Sequence, residues 1–318
     1  MGRTKERFLV TGGAGFIGSH LTQFLLQYGA VRVLDDLSTG TLDNLCEVIS
    51  EIEFVQGSVA DPATVQEAVD GCTMVFHLAA QVSVPLSMEL PVETFEVNVY
   101  GTQLLLEAAR QSGCRRFIFA SSAAVYGDSP RLPKRETMHA APISPYGWSK
   151  YYGELLCRDY WRVFGVPTVC FRFFNVYGPR QNPRSQYAAV VPRWITAALT
   201  NRKPIIYGDG KQVRDFIYID DLLQGIWLGA THPNAVGKVF NLASGARYSL
   251  LELLHAIEQA VGYPLTPEYQ PPRAGDIRRS YADVRLIQRT LGYRPRYTLQ
   301  EGIRHTVNAY YQKELVAI

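Results

Sequence analysis

Short apolar runs alternate with amphipathic helical patterns through the first half of the chain. The helical patterns begin near Phe16, Pro62, Pro91 and Ser144, and residues 101–110 form another strong one. Alternating strands and helices are typical of a parallel sheet that is covered by helices. The strands that the apolar runs predict are residues 8–10, 30–34, 53–56, 74–77, 116–120 and 168–172.

This alternation ends after Asn175. Residues 177–187 are rich in turn formers, residues 190–200 have a helical pattern, and the proline-rich residues 267–275 predict a loop. We therefore predict an α/β fold with two domains. They are a doubly wound parallel sheet over residues 1–174, with a returning segment near 216–243, and a smaller C-terminal α/β domain over residues 175–318.

Length and composition exclude several classes of protein. The chain has 318 residues, 47% of them apolar, so it can bury a large core. Its formal net charge is only +3 and it has no long run of Lys or Arg, which argues against a nucleic-acid partner. Five scattered cysteines include no Cys-x-x-Cys pair. They predict neither a disulfide framework nor a metal site.

The N-terminus is basic, but the apolar run after it covers only residues 8–10 before glycines follow. That run is too short for a signal peptide. No stretch approaches the roughly 20 apolar residues of a membrane span. We therefore expect no membrane partner and a cytoplasmic location.

A glycine-rich turn follows the first predicted strand and opens the first predicted helix. Its glycines at positions 12, 15 and 18 have the spacing G-x-x-G-x-x-G. In a dinucleotide site, Gly12 permits the tight turn, Gly15 lets the backbone approach the pyrophosphate, and Gly18 lets the helix pack on the sheet. The N-terminus of the helix favours the phosphate charge.

Asp35 lies 20 residues after Gly15, at the end of the second predicted strand. A carboxylate at this position accepts hydrogen bonds from the hydroxyls of the adenosine ribose and repels a 2′-phosphate. Residues 36–40 contain no Arg or Lys that would compensate. The sequence therefore predicts a Rossmann domain that binds NAD rather than NADP.

Tyr146 and Lys150 are four residues apart on a predicted helix, so their side chains share one face. A phenol has a pKa of about 10, and lowering that pKa to about 7 requires roughly 4 kcal/mol. One positive charge at about 4 Å supplies roughly that amount at an effective dielectric constant near 20. We therefore expect Tyr146 to act as a base, helped by Lys150 and an oxidised nicotinamide ring.

Four segments together resemble the extended short-chain dehydrogenase/reductases, and within them the UDP-sugar 4-epimerases, over essentially the whole chain. They are the glycine turn and residues 121–127 (SSAAVYG), 146–150 (YGWSK) and 172–180 (RFFNVYGPR). The resemblance implies reversible oxidation at C4 of a nucleotide sugar by tightly bound NAD, followed by hydride return to the opposite face.

The resemblance also implies catalytic roles. Tyr146 is the expected base, Ser122 is the hydroxyl that shares the sugar oxygen, and Lys150 also holds the nicotinamide ribose. Ala123 and Ala124 stand where the related 4,6-dehydratases place Asp and Glu, so dehydration is not expected. Residues 77–83 do not match the corresponding loop of the UDP-glucuronate decarboxylases.

Further residues are expected at the cofactor by the same resemblance. Asn98 is expected to orient the catalytic helix through backbone hydrogen bonds. Ser58 stands where relatives often carry an Asp beside the adenine. The remaining expected cofactor residues are Phe16, Ile17, Val59, Leu78, Ala79 and Ala80.

The expected substrate residues lie mostly in the second half of the chain. Arg214 and Arg273 match the pyrophosphate-binding arginines of the family, and a planar guanidinium suits a diphosphate. Asn175 is expected at the sugar or diphosphate, and Asp276 at the uridine ribose. The resemblance adds Ser83, Ser122, Tyr146 and Ser280 to the substrate contacts.

Ser280 is the sharpest indication of the sugar. In relatives, a Tyr at this position closes the pocket to an N-acetyl group at C2, whereas a small residue leaves room. Together with the loop of residues 178–190, Ser280 favours UDP-GlcNAc and UDP-GalNAc, with UDP-Glc and UDP-Gal tolerated.

A UDP-glucuronate 4-epimerase is the alternative. Such enzymes also tolerate a small residue at the position of Ser280, but they tend to have Thr in place of Asn175. Arg184 lies in a loop from which a cation could reach an acid. A net NAD-dependent nucleotide-sugar oxidoreductase and a non-catalytic NAD-binding protein also stay open. The resemblance further implies a homodimer, joined by residues 98–112 and 145–164 in a four-helix bundle.

Overall fold

The computed structural model describes residues 6–183, 189–272 and 277–316, with side chains to residue 312. Its strands are β1 Arg7–Thr11, β2 Ala30–Asp35, β3 Glu53–Gln56, β4 Met74–His77, β5 Arg116–Ser122, β6 Thr168–Phe173, β7 Asn175–Tyr177, β8 Ile205–Tyr207, β9 Val213–Arg214, β10 Phe216–Tyr218, β11 Lys238–Leu242, β12 Tyr248–Ser249, β13 Glu268–Gln270 and β14 Arg279–Ser280.

None of the helices in the described part of the chain is long and apolar enough to span a membrane. The helices are α1 Phe16–Leu25, α2 Pro62–Val69, α3 Val84–Glu89, α4 Pro91–Phe95, α5 Gly101–Gln111, α6 Pro145–Phe164, α7 Val190–Leu199, α8 Ile219–Thr231, α9 Leu250–Val261, α10 Arg285–Leu291 and α11 Leu299–Val316.

Seven parallel strands form the main sheet, in the order β11-β6-β5-β4-β1-β2-β3. The order reverses at β1, which is the arrangement of a doubly wound Rossmann sheet. All six strands predicted from the sequence form, each at most two residues longer than predicted. The predicted helix starts at Phe16, Pro62 and Pro91 are also confirmed. Ser144 itself is the N-cap of α6, which begins at Pro145, and its Oγ accepts a hydrogen bond from the nitrogen of Gly147, the third residue of the helix.

Alternate side chains of the main sheet enter two separate apolar layers. Phe8 and Phe76 belong to one layer, and Leu9 and Phe117 to the other. This follows from the two-residue period of a strand. Full burial of such a side chain stabilises the fold by about 1.5–3 kcal/mol. The central strands are therefore buried on both faces, so a binding site can form only at the ends of the strands.

The chain returns to the main sheet after leaving it at the end of β6. Helix α8 packs against α1. Strand β11 then pairs in parallel with β6, with Lys238 opposite Val169 and Leu242 opposite Phe173. The division of the chain into two domains stays a prediction.

Three small sheets accompany the main sheet, with the strand orders β10-β7, β12-β9-β14 and β13-β8. Strand β13 corrects the prediction of a loop over residues 267–275, because Glu268–Gln270 pairs in parallel with β8. Glu268 and Tyr269 are both exposed, so the strand has no apolar alternation. Its partner at Ile205 is also remote in sequence, which hides the pairing from a local pattern.

Candidate active site

The carboxyl ends of neighbouring parallel strands meet along one edge of the main sheet. In doubly wound sheets, ligands bind at this edge, where the strand order reverses. The glycine turn follows β1, Asp35 ends β2, Leu78 follows β4 and Ser122 ends β5. The fold therefore brings the predicted cofactor and catalytic residues to one edge.

The glycine turn packs against the segment that follows β4. Gly12 has a φ of +71°, and a Cβ atom there would lie 2.8 Å from the nitrogen of Ala79. A Cβ atom at Gly18 would lie 2.0 Å from the carbonyl oxygen of Gly12. Gly18 therefore lets α1 approach the turn itself, whereas the sequence analysis expected it to allow contact with the sheet.

Gly15 leaves space in front of α1. A Cβ atom there would meet only the carbonyl oxygen of Gly12, at 3.2 Å, and no side chain caps the helix at this residue. Phe16 and Ile17 begin the first helical turn and are half-buried. Backbone amides at an uncapped helix N-terminus suit a phosphate. The turn therefore fits the diphosphate of a dinucleotide.

Asp35 is buried and tied to the glycine turn. Its Oδ2 accepts a hydrogen bond from the nitrogen of Ala14 at 2.9 Å, and its Oδ1 accepts one from Leu37 at 2.8 Å. Burial raises the pKa of this carboxyl group, while the two backbone bonds lower it. A carboxylate accepts about four hydrogen bonds, so Asp35 keeps capacity for ribose hydroxyls.

The other predicted cofactor residues lie after β3 and β4. The hydroxyl of Ser58 accepts a hydrogen bond from the backbone nitrogen of Ala60, and Val59 is buried. Three half-buried residues follow β4 along the same edge: Leu78, Ala79 and Ala80.

The structure brings Ser122, Tyr146 and Lys150 together. Ser122 ends β5, and its Oγ accepts a hydrogen bond from the nitrogen of Ala124 at 3.1 Å. Tyr146 and Lys150 lie on the first turns of α6, and a side-chain hydrogen bond links Tyr146 to Ser122. The Nζ atom of Lys150 is 5.9 Å from the centre of the Tyr146 ring. A hydroxyl, a phenol and an ammonium group therefore share one end of β5.

The pKa of Tyr146 differs from the expectation that Lys150 lowers it. Burial raises the pKa of this phenol, and the hydrogen bond with Ser122 lowers it by less. Burial also lowers the pKa of Lys150 to about 8. The loss of solvation thus outweighs the help that the protein's own groups give to the phenolate. Further positive charge is needed to make this phenol a base near neutral pH.

Asn98 reaches α6, the predicted catalytic helix, by a different route from the predicted one. Its Nδ2 donates to Ser149 Oγ at 2.9 Å, and Ser149 Oγ donates to the carbonyl oxygen of Tyr146 at 2.8 Å. Its remaining bonds join the nitrogen and oxygen of Gln81. The predicted backbone bonds to the helix are therefore replaced by a serine hydroxyl. Asn98 lies in a π-helical turn, Glu96–Tyr100, a feature frequent at functional sites.

Sequence reasoning missed His77, the last residue of β4. His77 is fully buried, and its Nδ1 and Nε2 lie 2.8 Å and 2.9 Å from the hydroxyls of Thr11 and Thr102. The Thr102 hydroxyl donates to the carbonyl oxygen of Asn98, so it accepts from Nε2. Thr11 in turn accepts from the nitrogen of Ala79 at 3.2 Å and donates to Nδ1.

These bonds form one directional chain that joins the cofactor edge to Asn98. They fix His77 in its neutral Nε2–H form, since Nδ1 accepts. Burial and the nearby charge of Lys150 lower the pKa of His77 to about 3, which keeps the ring neutral. The sequence does contain one signal for this residue, because His77 is a polar residue at the end of the otherwise apolar run of residues 74–77.

Three of the described substrate candidates, Asn175, Arg214 and Ser280, lie on the small sheets. Arg214 on β9 is the direct neighbour of Ser280 on β14, and Asn175 begins β7. Ser280 is half-buried. Ser83 caps α3, with its Oγ accepting from the nitrogen of Leu86 at 3.1 Å. The candidates Arg273 and Asp276, and Arg184 of the alternative assignment, lie outside the described residues.

The fold and this edge define an α/β protein with a dinucleotide site beside a Ser-Tyr-Lys group. A sequence model of the NAD dependent epimerase/dehydratase family matches residues 8–243. A UDP-glucose 4-epimerase from Mycolicibacterium smegmatis is 41% identical over 312 residues, which cover 96% of this chain and 99% of the relative.

Solved structures agree. The UDP-glucose 4-epimerase of Thermotoga maritima, determined with UDP-glucose, has a TM-score of 0.92 and 35% identity, covering 97% of this chain and 99% of its own. The UDP-N-acetylglucosamine 4-epimerase of Methanobrevibacter ruminantium, in complex with UDP-N-acetylmuramic acid, has a TM-score of 0.93 and 33% identity, with 97% and 99% covered.

Proteins with other substrates or reactions match as well. A UDP-N-acetyl-alpha-D-glucosaminuronate decarboxylase from Bacillus cytotoxicus is 33% identical over 95% of this chain and 97% of its own. The UDP-glucuronic acid 4-epimerase of Bacillus cereus, determined with UDP-glucuronic acid and NAD, has a TM-score of 0.89 and 31% identity, with 96% and 99% covered.

This chain belongs to the NAD dependent epimerase/dehydratase family, within the extended short-chain dehydrogenase/reductases. It is an enzyme of that family, and its cofactor is NAD. The predicted fold class, family and cofactor are thereby confirmed.

Proposed function

We propose that this enzyme inverts the C4 hydroxyl of a UDP-hexose. The observation that carries the proposal is the grouping of Ser122, Tyr146 and Lys150 at the end of β5, with Ala123 and Ala124 directly after the serine. Inversion at an unactivated carbon needs a base, an oxidant and a donor for the developing oxyanion. The chain offers the base and the donor.

Each of the three residues has a defined task. Tyr146, as the phenolate, takes the proton of the C4 hydroxyl and becomes a neutral phenol, and the hydroxyl of Ser122 donates to the same sugar oxygen. The ammonium group of Lys150 lies near the Tyr146 ring and stabilises the phenolate electrostatically. Tightly bound NAD supplies the reversible two-electron oxidation at C4. Because burial raises the pKa of Tyr146, the phenol depends on Lys150 and on the charge of the oxidised cofactor together.

One feature favours epimerisation over dehydration, and a second favours a neutral sugar as the substrate. Ala123 and Ala124 have no acid or base for elimination of water. Asn175 stands where UDP-glucuronate 4-epimerases tend to have Thr, which favours a neutral sugar over a sugar acid. UDP-glucuronate remains the alternative substrate, since a UDP-glucuronic acid 4-epimerase is among the structural neighbours.

Among neutral sugars we infer a preference for UDP-GlcNAc and UDP-GalNAc. Ser280 is small, half-buried and adjacent to Arg214, the candidate for the diphosphate. A small side chain at this position leaves room for an N-acetyl group, and it does not exclude the hydroxyl of UDP-Glc or UDP-Gal. The similarity to a UDP-N-acetylglucosamine 4-epimerase supports this assignment.

One panel of UDP-sugars tests the proposal. The purified protein, without added cofactor, is incubated with UDP-GlcNAc, UDP-Glc and UDP-glucuronate, and products are followed by proton NMR. We expect UDP-GlcNAc to equilibrate with UDP-GalNAc. Rapid conversion of UDP-glucuronate with inert UDP-GlcNAc would refute the sugar assignment. Net production of NADH, or a requirement for added NAD, would refute epimerisation with a tightly held cofactor.

We also propose that the enzyme is a homodimer. Exposed apolar side chains cluster near the start of α6 and on the neighbouring α3 and α4, including Met88, Val92, Ile143 and Trp148. Met88, Ile143 and Trp148 line a cavity of about 360 Å³. An apolar patch of this kind is typical of an interface between subunits. A second copy that packs here would bring the two α6 helices together, and residues 98–112 of each copy would complete the predicted four-helix bundle.

A further inference from the structure

Asp215 follows Arg214 directly and is completely buried. Its two carboxylate oxygens accept four hydrogen bonds. Oδ1 accepts from the nitrogen and the hydroxyl of Ser244, at 2.9 Å and 2.7 Å. Oδ2 accepts from the nitrogens of Gly245 and Ala282, at 3.1 Å and 3.3 Å. A carboxylate accepts about four such bonds, so this one is fully engaged inside the protein.

The main chain of Asp215 holds the substrate candidates. Its carbonyl oxygen accepts from the backbone nitrogen and from Nδ2 of Asn175, at 3.1 Å and 2.9 Å. Its nitrogen donates to the carbonyl oxygen of Ser280 at 3.1 Å. Arg214 precedes it and pairs with Ser280 across the strands. Asp215 therefore bonds or adjoins each of these three substrate candidates.

The carboxylate links this group to the main sheet. Ser244 and Gly245 lie two and three residues after the end of β11, the strand that returns beside β6. The backbone of Asp215 lies between β9 and β10, and its side chain reaches the end of β11. One residue thus connects the small sheets, which carry the substrate candidates, to the edge where β5 ends in Ser122.

We propose, on the basis of the function proposed above, that Asp215 is a positioning residue that holds Arg214, Asn175 and Ser280 at a fixed place relative to the catalytic edge. It acts on the UDP-sugar only through these neighbours. The sequence analysis assigned no role to it.

A carboxylate is needed for this role rather than a side chain of similar size. All four partners of the Asp215 carboxylate are N–H or O–H donors. In an Asn variant, the amide NH₂ would face some of these donors and could not accept their hydrogen bonds. Burial raises the pKa of Asp215, and the four hydrogen bonds only partly oppose this, so that the pKa is about 6. The carboxyl group is therefore ionised at neutral pH. Buried polar groups are retained when their hydrogen bonds are satisfied, as they are here.

The variant Asp215→Asn tests the proposal, with Asp221→Asn as its matched control. Asp221 is also buried and accepts two backbone N–H bonds, from Arg296 and Tyr297, but none from a substrate candidate. We expect Asp215→Asn to raise the Kd of UDP, measured by calorimetry, about tenfold or more. The KM for the UDP-sugar should rise in parallel, with a much smaller change in kcat and unchanged NAD content.

The control separates positioning from general damage. Asp221→Asn is expected to lower the unfolding temperature and to leave the Kd of UDP unchanged. If Asp215→Asn binds UDP as tightly as the wild type, the positioning role is overturned while the proposed function stands. If the wild type does not bind UDP, the proposed function fails, and this role fails with it.

If Asp215→Asn does not fold, a milder variant tests the positioning role of the carboxylate. Ser244→Ala removes one of the four donors and leaves the carboxylate in place. We expect it to raise the Kd of UDP roughly threefold. An unchanged Kd in this folded variant would overturn the role of the carboxylate.

Discussion

The Nζ atom of Lys150 lies 5.9 Å from the centre of the Tyr146 ring and 5.2 Å from the centre of the Phe119 ring. Lys150 is almost fully buried, at 4% exposure. The ammonium group therefore lies near two aromatic rings, where it has lost most of its water. The same burial that places the charge beside the phenol makes that charge costly for the fold.

Lys150→Met is therefore expected to remove activity and to increase stability. Burial lowers the pKa of Lys150 from 10.5 to about 8. That shift corresponds to about 3 kcal/mol of destabilisation at pH 7. Because the folded pKa lies below the unfolded value, the penalty is complete below pH 8 and disappears as the pH rises towards 10.5. Urea unfolding at pH 7 and pH 10 measures both limits. A gain in stability that is the same at both pH values would contradict this explanation.

Tyr146→Phe is expected to reduce conversion by about 10²- to 10⁴-fold, because the variant has no phenol to take the C4 proton. The fold should be unchanged, since the ring is kept. Tyr152→Phe is the control, as Tyr152 lies on the same helix and is exposed. Initial rates by proton NMR and circular dichroism of both variants provide the measurement. Substantial turnover by Tyr146→Phe would remove Tyr146 from its role as base.

Ser280→Tyr is expected to act on one class of sugar. A ring at this position should reject the N-acetyl group of UDP-GlcNAc by about 10-fold or more in kcat/KM, because a steric wall discriminates more strongly than a lost contact. UDP-Glc should be affected little. Ser280→Ala keeps the space open and serves as the control, with both substrates retained. An equal loss on the two sugars would show that Ser280 does not select the substituent at C2.

Thr11→Val tests the hydrogen-bond chain through His77. It leaves the nitrogen of Ala79 and Nδ1 of His77 without their partner, which should destabilise the fold by about 2 kcal/mol and weaken NAD binding. Thr22→Val is a matched control, since the buried hydroxyl of Thr22 has no partner among the described residues. That variant should be neutral or stabilising. Thermal unfolding and NAD content after purification distinguish the two variants. Equal effects of both substitutions would argue against the proposed role of the hydrogen-bond chain.

Trp148→Arg tests the proposed homodimer. A charge in the apolar patch should prevent the second copy from packing, because a buried unpaired charge is strongly unfavourable. We expect a dimer for the wild type and a monomer for the variant in sedimentation velocity. Tyr269→Arg places the same charge on another exposed aromatic residue, on β13, and should leave the dimer intact. A monomeric wild type would refute the proposal.

Local patterns were sufficient for six of the seven strands of the main sheet and for the cofactor edge, whereas β11 was anticipated only as part of a returning segment near 216–243. Residues 74–77 form a strand because they are uniformly apolar up to His77, and Gly12 and Gly15 are recognisable because the turn and its helix are contiguous in sequence. Tyr146 and Lys150 share a helix face, so their spacing alone predicts proximity. In each case, the residues that interact lie within one or two elements.

The features that were missed depend on contacts between remote segments. His77 is bonded to Thr11 and Thr102, and Asp215 is bonded to Ser244 and Ala282. No spacing rule connects these positions. The pKa of Tyr146 also required the structure, because its direction depends on how deeply the phenol is buried.

The late return of β11 has a consequence for synthesis of the chain. All six residues of Thr168–Phe173 are buried in the finished enzyme, and β11 covers one side of this strand. A nascent chain that has not yet passed Leu242 leaves β6 as an open edge, with unpaired backbone groups beside apolar side chains. Such an edge can pair with another chain. Translation of the whole segment between β6 and β11 is therefore a period of exposure to aggregation, and it ends only when β11 leaves the ribosome.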